Sequence, residues 1–254
     1  MIGAIGGDII GSPYEFNPIK TTDFPLFSSE SKFTDDTVLT LATAFTLMTD
    51  GDYSENYRIF GRLYPLAGYG LRFKEWLTGD DPRPYNSWGN GSAMRVSPVG
   101  FGLNDEKDVL QEAERSAMVT HDHPEGVKGA QATALAIFLA RKGADAETIR
   151  KELTGRFAYD LDRTVAEIRP DYSFTESCQE TVPQALVCAL EADDWEDAVR
   201  LSVSLGGDAD TLACIAGGVA EALGGQVPED AARRIKEILP EDLLEILEDF
   251  PITF

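Results

Sequence analysis

The chain has 254 residues, of which 44 are acidic and 22 are Lys or Arg, for a formal charge of −22 at neutral pH. A surface of that sign repels phosphate backbones and anionic bilayers, which excludes general nucleic-acid or membrane-surface binding; a phosphate-bearing substrate would have to be held locally, by backbone N–H groups or by metal. Hydrophobic residues at 43% and charged residues at 26% are ordinary for a globular protein. The length allows one core burying roughly three quarters of the unfolded surface, and no apolar run approaches the roughly 18 residues that span a bilayer.

In chain order, the opening Met1-Ile2-Gly3-Ala4-Ile5-Gly6-Gly7-Asp8 lacks a basic stretch and meets an acid at once, so it reads as the start of the fold and not as a secretory signal. Residues 11–34, with prolines at 13, 18 and 25, are irregular and of a kind that folds over a site as a flap. The spacing of Val38, Leu39, Leu41, Ala42, Phe45 and Leu47 predicts a helix over 36–49. Residues 78–104 form a second irregular region rich in Gly, Pro, Asn and Ser; its one strand-like string, Arg95-Val96-Ser97-Pro98-Val99, is broken by proline. Val127, Ala130, Ala134, Ile137 and Phe138 predict a helix over 125–142, and the acidic tract 160–180 is a third irregular region. Helices are predicted over 183–191, 195–205, 211–223 and 229–239, with Pro240-Glu241 opening a last one through residue 248. No repeat or linker interrupts this, so the expectation is a single, all-α domain over 1–254. The three cysteines, Cys178, Cys188 and Cys214, form no C-x-x-C pair and lie in apolar surroundings, which points to reduced thiols and a cytoplasmic location.

Two acidic runs carry the chemistry. Thr34-Asp35-Asp36-Thr37 and Gly207-Asp208-Ala209-Asp210-Thr211 each stand directly before an apolar helical stretch. Thr and Asp at such positions also cap helices, and for one run alone capping is the commoner use. A helix dipole repels a cation, so several acids must gather to hold one. Two matched runs can supply the clustered hard oxygens that Mg²⁺ requires, and two metals if they converge. Gly89-Asn90-Gly91-Ser92-Ala93-Met94-Arg95 is a loop whose N–H groups can cradle an anion or merely make a tight turn; it is not a Walker motif. His121-Asp122-His123-Pro124 holds both histidines of the chain. No Cys or third His accompanies them to make a zinc site, and His121 reads either as a substrate contact or as a loop residue without function. Glu15 sits where a flap can deliver a carboxylate. A nucleophile at Ser92 or Cys178 with His121 can be assembled, but no Gly-x-Ser-x-Gly elbow supports it.

In order and spacing, these motifs, together with Gly6-Gly7-Asp8-Ile9-Ile10-Gly11 and Glu180-Thr181-Val182-Pro183-Gln184-Ala185-Leu186, resemble the ADP-ribosylglycohydrolase family over nearly the whole chain. The resemblance implies a compact, orthogonal all-α bundle with two Mg²⁺, sometimes Mn²⁺, in a central cleft. It implies Thr34, Asp35, Asp36, Asp208, Asp210 and Thr211 as metal ligands, with Asp210 bridging. It places Asn90, Gly91, Ser92 and His121 against the diphosphate and ribose, and Glu15 or Asp35 as the catalytic carboxylate. The implied reaction is hydrolysis of the bond between the distal ribose of ADP-ribose and an acceptor: a protein side chain, a nucleic acid or a small molecule. A same-fold hydrolase of another nucleoside or sugar derivative, and a non-catalytic ADP-ribose-binding protein, are the alternatives. A monomer is expected.

Overall fold

In a computed structural model, which describes residues 1–252, the chain is a stack of helices. The last two positions of the expected 1–254 domain lie outside the described residues. The helices are α1 (Ile2–Gly11), α2 (Asp35–Thr49), α3 (Tyr53–Leu63), α4 (Leu71–Thr78), α5 (Gly91–Met94), α6 (Ser97–Gly102), α7 (Glu106–Met118), α8 (Pro124–Arg141), α9 (Ala146–Phe157), α10 (Val165–Ile168), α11 (Cys178–Glu191), α12 (Trp195–Val203), α13 (Ala209–Ala222), α14 (Glu229–Ile238) and α15 (Glu241–Asp249). Among the described residues there is no sheet, only an isolated antiparallel bridge between Gly89 and Ser177. No described helix is long and apolar enough to cross a membrane.

The centre is α13. From Thr211 to Ala220 it has no charged residue, and every residue from Ala209 to Ala220 is buried. A helix apolar on all sides must be surrounded, and α1, α8, α11 and α12 pack around it. Against α1 the approach is close enough to exclude side chains. A Cβ on Gly3 would lie 2.6 Å from Gly217 O, one on Gly7 2.0 Å from Ala213 O, and one on Gly11 2.5 Å from Ala209 O. The three glycines, four residues apart, line one face of α1. They run antiparallel to α13, so the C-terminal end of α1 rests on the start of α13.

The all-α expectation holds, with shifted boundaries. The helix expected over 183–191 begins five residues earlier and carries Pro183 inside it. The irregular region 78–104 contains α5 and α6, and the tract 160–180 contains α10 and the start of α11. Pro98, which disqualified Arg95–Val99 as a strand, lies in the first turn of α6, where a missing N–H costs nothing. Helices α1, α3, α4, α7 and α9 come in addition to those predicted. The segment 11–34 stays irregular beyond a 3₁₀ turn at Ser12–Tyr14. It is tied down at its middle: Lys20 Nζ donates to the carbonyls of Arg169 and Leu205 at 2.8 and 2.5 Å, and Arg200 donates to those of Thr22 and Phe24 at 3.0 and 2.7 Å.

Candidate functional site

The N-termini of α2 and α13 open into one cleft of about 350 Å³, lined among others by Glu15, Asp35, Asp36, Asn90, His121, Glu176, Asp208, Asp210 and Thr211. At α2, Thr34 does what capping predicts, accepting from the Asp36 N–H at 3.3 Å. The Asp35 N–H donates to Ala67 O at 2.7 Å. Its carboxylate lies against the turn at Gly68, where φ is +110° and an added Cβ would come within 3.1 Å of Asp35 Oδ1. That turn needs glycine on both counts. At α13 the acids do not cap: Asp208 makes no side-chain cap bond, and Asp210 Oδ1 accepts from the neighbouring Thr211 N–H at 2.9 Å.

The carboxylates therefore face each other. One oxygen each from Glu15, Asp208 and Asp210 lies within 4.8 Å of the other two. Buried Asp36 leaves Oδ2 with no hydrogen-bond partner. The electrostatic cost shows in Glu15 and in the four aspartates. Burial, then Asp210 and Asp8, hold Asp35 and Asp36 well above the usual carboxylate range. Burial, then Asp208, does the same to Asp210. Asp208 is pushed up to about 7 by burial, and Glu15 to about 8 by burial, then by Asp210, Asp8 and Glu176. An array of hard, mutually repelling oxygens with an orphaned carboxylate atom fits a divalent cation, which would relieve both the repulsion and the missing partner.

Other predicted site residues are arranged less directly. Thr34 is buried, and its hydroxyl donates to Asp8 Oδ1 at 2.7 Å. Asn90 Nδ2 donates to Asp208 Oδ2 at 2.7 Å and to Thr181 Oγ1 at 3.2 Å, so its amide positions a cluster carboxylate. The Ser92 hydroxyl donates to Gly126 O at 2.7 Å in the core, and Ser92 is not among the residues that line the cleft. Neither Ser92 nor Cys178, whose thiol donates to Gly89 O at 3.0 Å and is pushed up to about 12 by burial, pairs with His121. The two histidines divide. His123 caps α8, its Nδ1 accepting from the Glu125 N–H at 3.1 Å, while buried His121 faces the cleft beside Gly89 and Gly91. That turn is stitched to the start of α11 by Asn90 N to Glu176 O at 2.7 Å and Cys178 N to Trp88 O at 2.9 Å.

In the sequence Asp8 stands out only within the Gly6–Gly11 motif. It is fully buried on α1 and accepts from the N–H and hydroxyl of both Thr34 and Thr37, thereby joining α1 to the α2 N-terminus. A lone acid in an otherwise apolar helix was the available signal. Exposed Arg72, reaching over the Tyr85 ring at 5.0 Å, and Phe16, stacked on Phe174 at 6.1 Å, complete the rim.

Comparison with known proteins agrees with this geometry. The chain is 28% identical over 312 aligned positions to the ADP-ribosylhydrolase ARH3 of Homo sapiens, covering 90% of this chain and 86% of that protein. It is 25% identical over 260 positions to the ADP-ribosylarginine hydrolase Tri1 of Pseudomonas putida, covering 89% and 69%. A solved structure titled ADP-ribosylglycohydrolase-related protein complex shares the fold with a TM-score of 0.73 at 24% identity, over 96% of this chain and 94% of that one. The profile of the ADP-ribosylglycohydrolase family matches residues 1–253, and with two acid-bearing helix ends meeting in one cleft the chain belongs to that family.

Proposed function

We propose that this chain is a Mg²⁺-dependent hydrolase that cleaves the bond between C1″ of the distal ribose of ADP-ribose and its acceptor. The observation that carries the reading is the convergence of Asp35 and Asp36 with Asp208 and Asp210, from opposite ends of the chain, in one cleft beside the Gly89–Gly91 turn. Asp35, Asp36, Asp208, Asp210 and the hydroxyls of Thr34 and Thr211 would hold two Mg²⁺, or Mn²⁺. When bound, such ions supply Lewis-acid polarisation of the ribose hydroxyls and counter-charge for the carboxylates. The backbone at Gly91 and Ser92, with His121, holds the diphosphate, and Asn90 keeps Asp208 in place. The carboxylate array stabilises the oxocarbenium-like charge that develops as the C1″–acceptor bond breaks. Glu15 or Asp35 acts as general base or acid: the water that attacks C1″ gives up one proton, and the departing acceptor takes one up. Three free, buried cysteines support a cytoplasmic location. The test is release of free ADP-ribose from ADP-ribosyl-arginine, ADP-ribosyl-serine, O-acetyl-ADP-ribose and ADP-ribosylated nucleic acid, with Mg²⁺ and with EDTA. Tight ADP-ribose binding without metal-dependent turnover on any of them overturns the reading.

Two outcomes are expected at this site. Glu15→Gln lowers kcat by on the order of 10²–10³-fold, with the dissociation constant for ADP-ribose nearly unchanged; loss of affinity alone would make Glu15 a gate. The second concerns pH. An unfolded Asp or Glu titrates near ~4, whereas Asp208 and Glu15 titrate at about 7 and about 8 in the fold. Between those values the folded chain binds more protons than the unfolded one, so these groups withdraw stability as pH rises. In EDTA the melting temperature should therefore fall from pH 5 to pH 8.5, and the increment restored by millimolar Mg²⁺ should grow over the same range. An increment independent of pH would show that the cluster does not receive the ion.

A further inference from the structure

The cleft holds a histidine whose proton placement is dictated from below. His121 Nδ1 lies 2.7 Å from the Thr120 hydroxyl oxygen. Thr120 is fully buried, and that same oxygen accepts from Arg95 Nη2 at 2.9 Å. Arg95 is also fully buried: its Nη2 donates to Ser116 O at 2.8 Å, and its guanidinium carbon lies 4.2 Å over the Tyr57 ring. A guanidinium only donates and keeps its charge, so the Thr120 oxygen must accept from it. The hydroxyl proton then has His121 Nδ1 as its acceptor, and a buried hydroxyl proton left unpaired would be costly. With Nδ1 accepting, a neutral imidazole carries its hydrogen on Nε2. That atom faces the anion-cradling turn: a Cβ on Gly91 or Gly89 would lie 3.2 or 3.5 Å from His121 Nε2.

We propose that Thr120, itself held by Arg95, is a positioning residue that fixes His121 with Nδ1 bare and Nε2 protonated, so that the ring offers a preset N–H donor to a phosphate oxygen lying over Gly89–Gly91. The relay couples a permanent buried cation to that donor and strengthens it through successive hydrogen bonds. Burial, then Arg95 and Arg72, hold His121 well below the usual histidine range, which keeps the ring neutral and the donor count at one. A single directed donor orients the diphosphate without placing a second titrating group beside it. The role rests on the ADP-ribose reading, since it is the substrate's phosphate that receives the N–H.

The chain has two histidines, so their ring nitrogens are readily assigned in ¹⁵N-labelled protein. At pH 7 the ligand-free protein should show His121 Nε2 protonated and Nδ1 bare. A protonated Nδ1, or an imidazolium, overturns the proposal. Thr120→Val, which keeps the shape and removes the hydroxyl, should give a mixture of tautomers and weaken ADP-ribose binding about tenfold by calorimetry, while Thr120→Ser restores both. An unchanged tautomer and affinity in Thr120→Val also overturns it. The spectrum of the unsubstituted protein decides the matter even if Thr120→Val does not fold. If the tautomer responds as stated but ADP-ribose fails to bind the unsubstituted protein, the relay stands and the substrate reading fails.

Discussion

Replacing Asp210 by asparagine is expected to lower kcat on the order of 10³-fold, about 4 kcal/mol of barrier at 1.36 kcal/mol per factor of ten, and to abolish most of the Mg²⁺-induced rise in melting temperature. Asp210 stands at the electrical centre of the cluster: after burial, it is the first charge raising Glu15, Asp35 and Asp36. Asparagine keeps the size and can keep the Oδ1 contact to the Thr211 N–H, so the helix start survives. Removing the charge also removes like-charge repulsion in the metal-free protein. The variant should therefore melt higher than the parent in EDTA at pH 8, with unchanged helical circular dichroism. A variant that loses activity and also melts lower in EDTA would assign Asp210 a structural part instead. The combination of better stability with lost turnover is the signature of a site whose charges are kept for function.

Gly7→Ala is expected to be the most destabilising single-methyl change in the molecule. The added Cβ would lie 2.0 Å from Ala213 O, 2.3 Å from Ala213 C and 2.7 Å from Cys214 N, all backbone atoms that no rotamer change can move. The two helix axes must separate, at a cost of roughly 3 kcal/mol or more, which in a chain of this size lowers the melting temperature by about 6–12 °C. The same substitution at Gly155 is the control. That glycine is exposed within α9 with nothing within 4 Å of an added Cβ, and alanine there should stabilise by up to ~1 kcal/mol through helix propensity. Displacing α1 also moves Asp8 and the Glu15 segment away from Asp210, so Gly7→Ala should lose activity beyond its loss of folded protein. Equal effects at positions 7 and 155 would refute the close-contact account.

The paired acidic runs were legible because local chemistry marks them: two helix starts with more carboxylates than capping requires. Helices α8 and α13 were legible from apolar spacing, since their burial leaves little to contradict it. Helix α1 was not, because four glycines in ten residues are a weak helix pattern unless one knows that the α13 backbone takes the side-chain space of Gly3, Gly7 and Gly11, and the Ile235 and Trp195 side chains that of Gly6. The start of α11 was misplaced because Pro183 reads as a first-turn residue, whereas here it sits inside the helix and forgoes one backbone hydrogen bond. At the site, residue identity was readable and residue duty was not. Asn90 and Ser92 lie where expected in sequence, yet Asn90 is engaged with Asp208 and the Ser92 hydroxyl with Gly126. Such assignments depend on partners more than 30 positions away, which no local pattern reports.

The antiparallel seating of α1 on α13 joins elements about two hundred positions apart in sequence. Loop closure over that span is slow, and contacts of this kind form late in folding. During synthesis, Ile5, Ile9 and Ile10 emerge early, while α13, around which the core is organised, leaves the ribosome some two hundred residues later. Until α13 has been made, the nascent chain exposes the apolar side of α1, a window in which a holdase chaperone has something to grip and in which the Asp208–Asp210 half of the cleft is still missing.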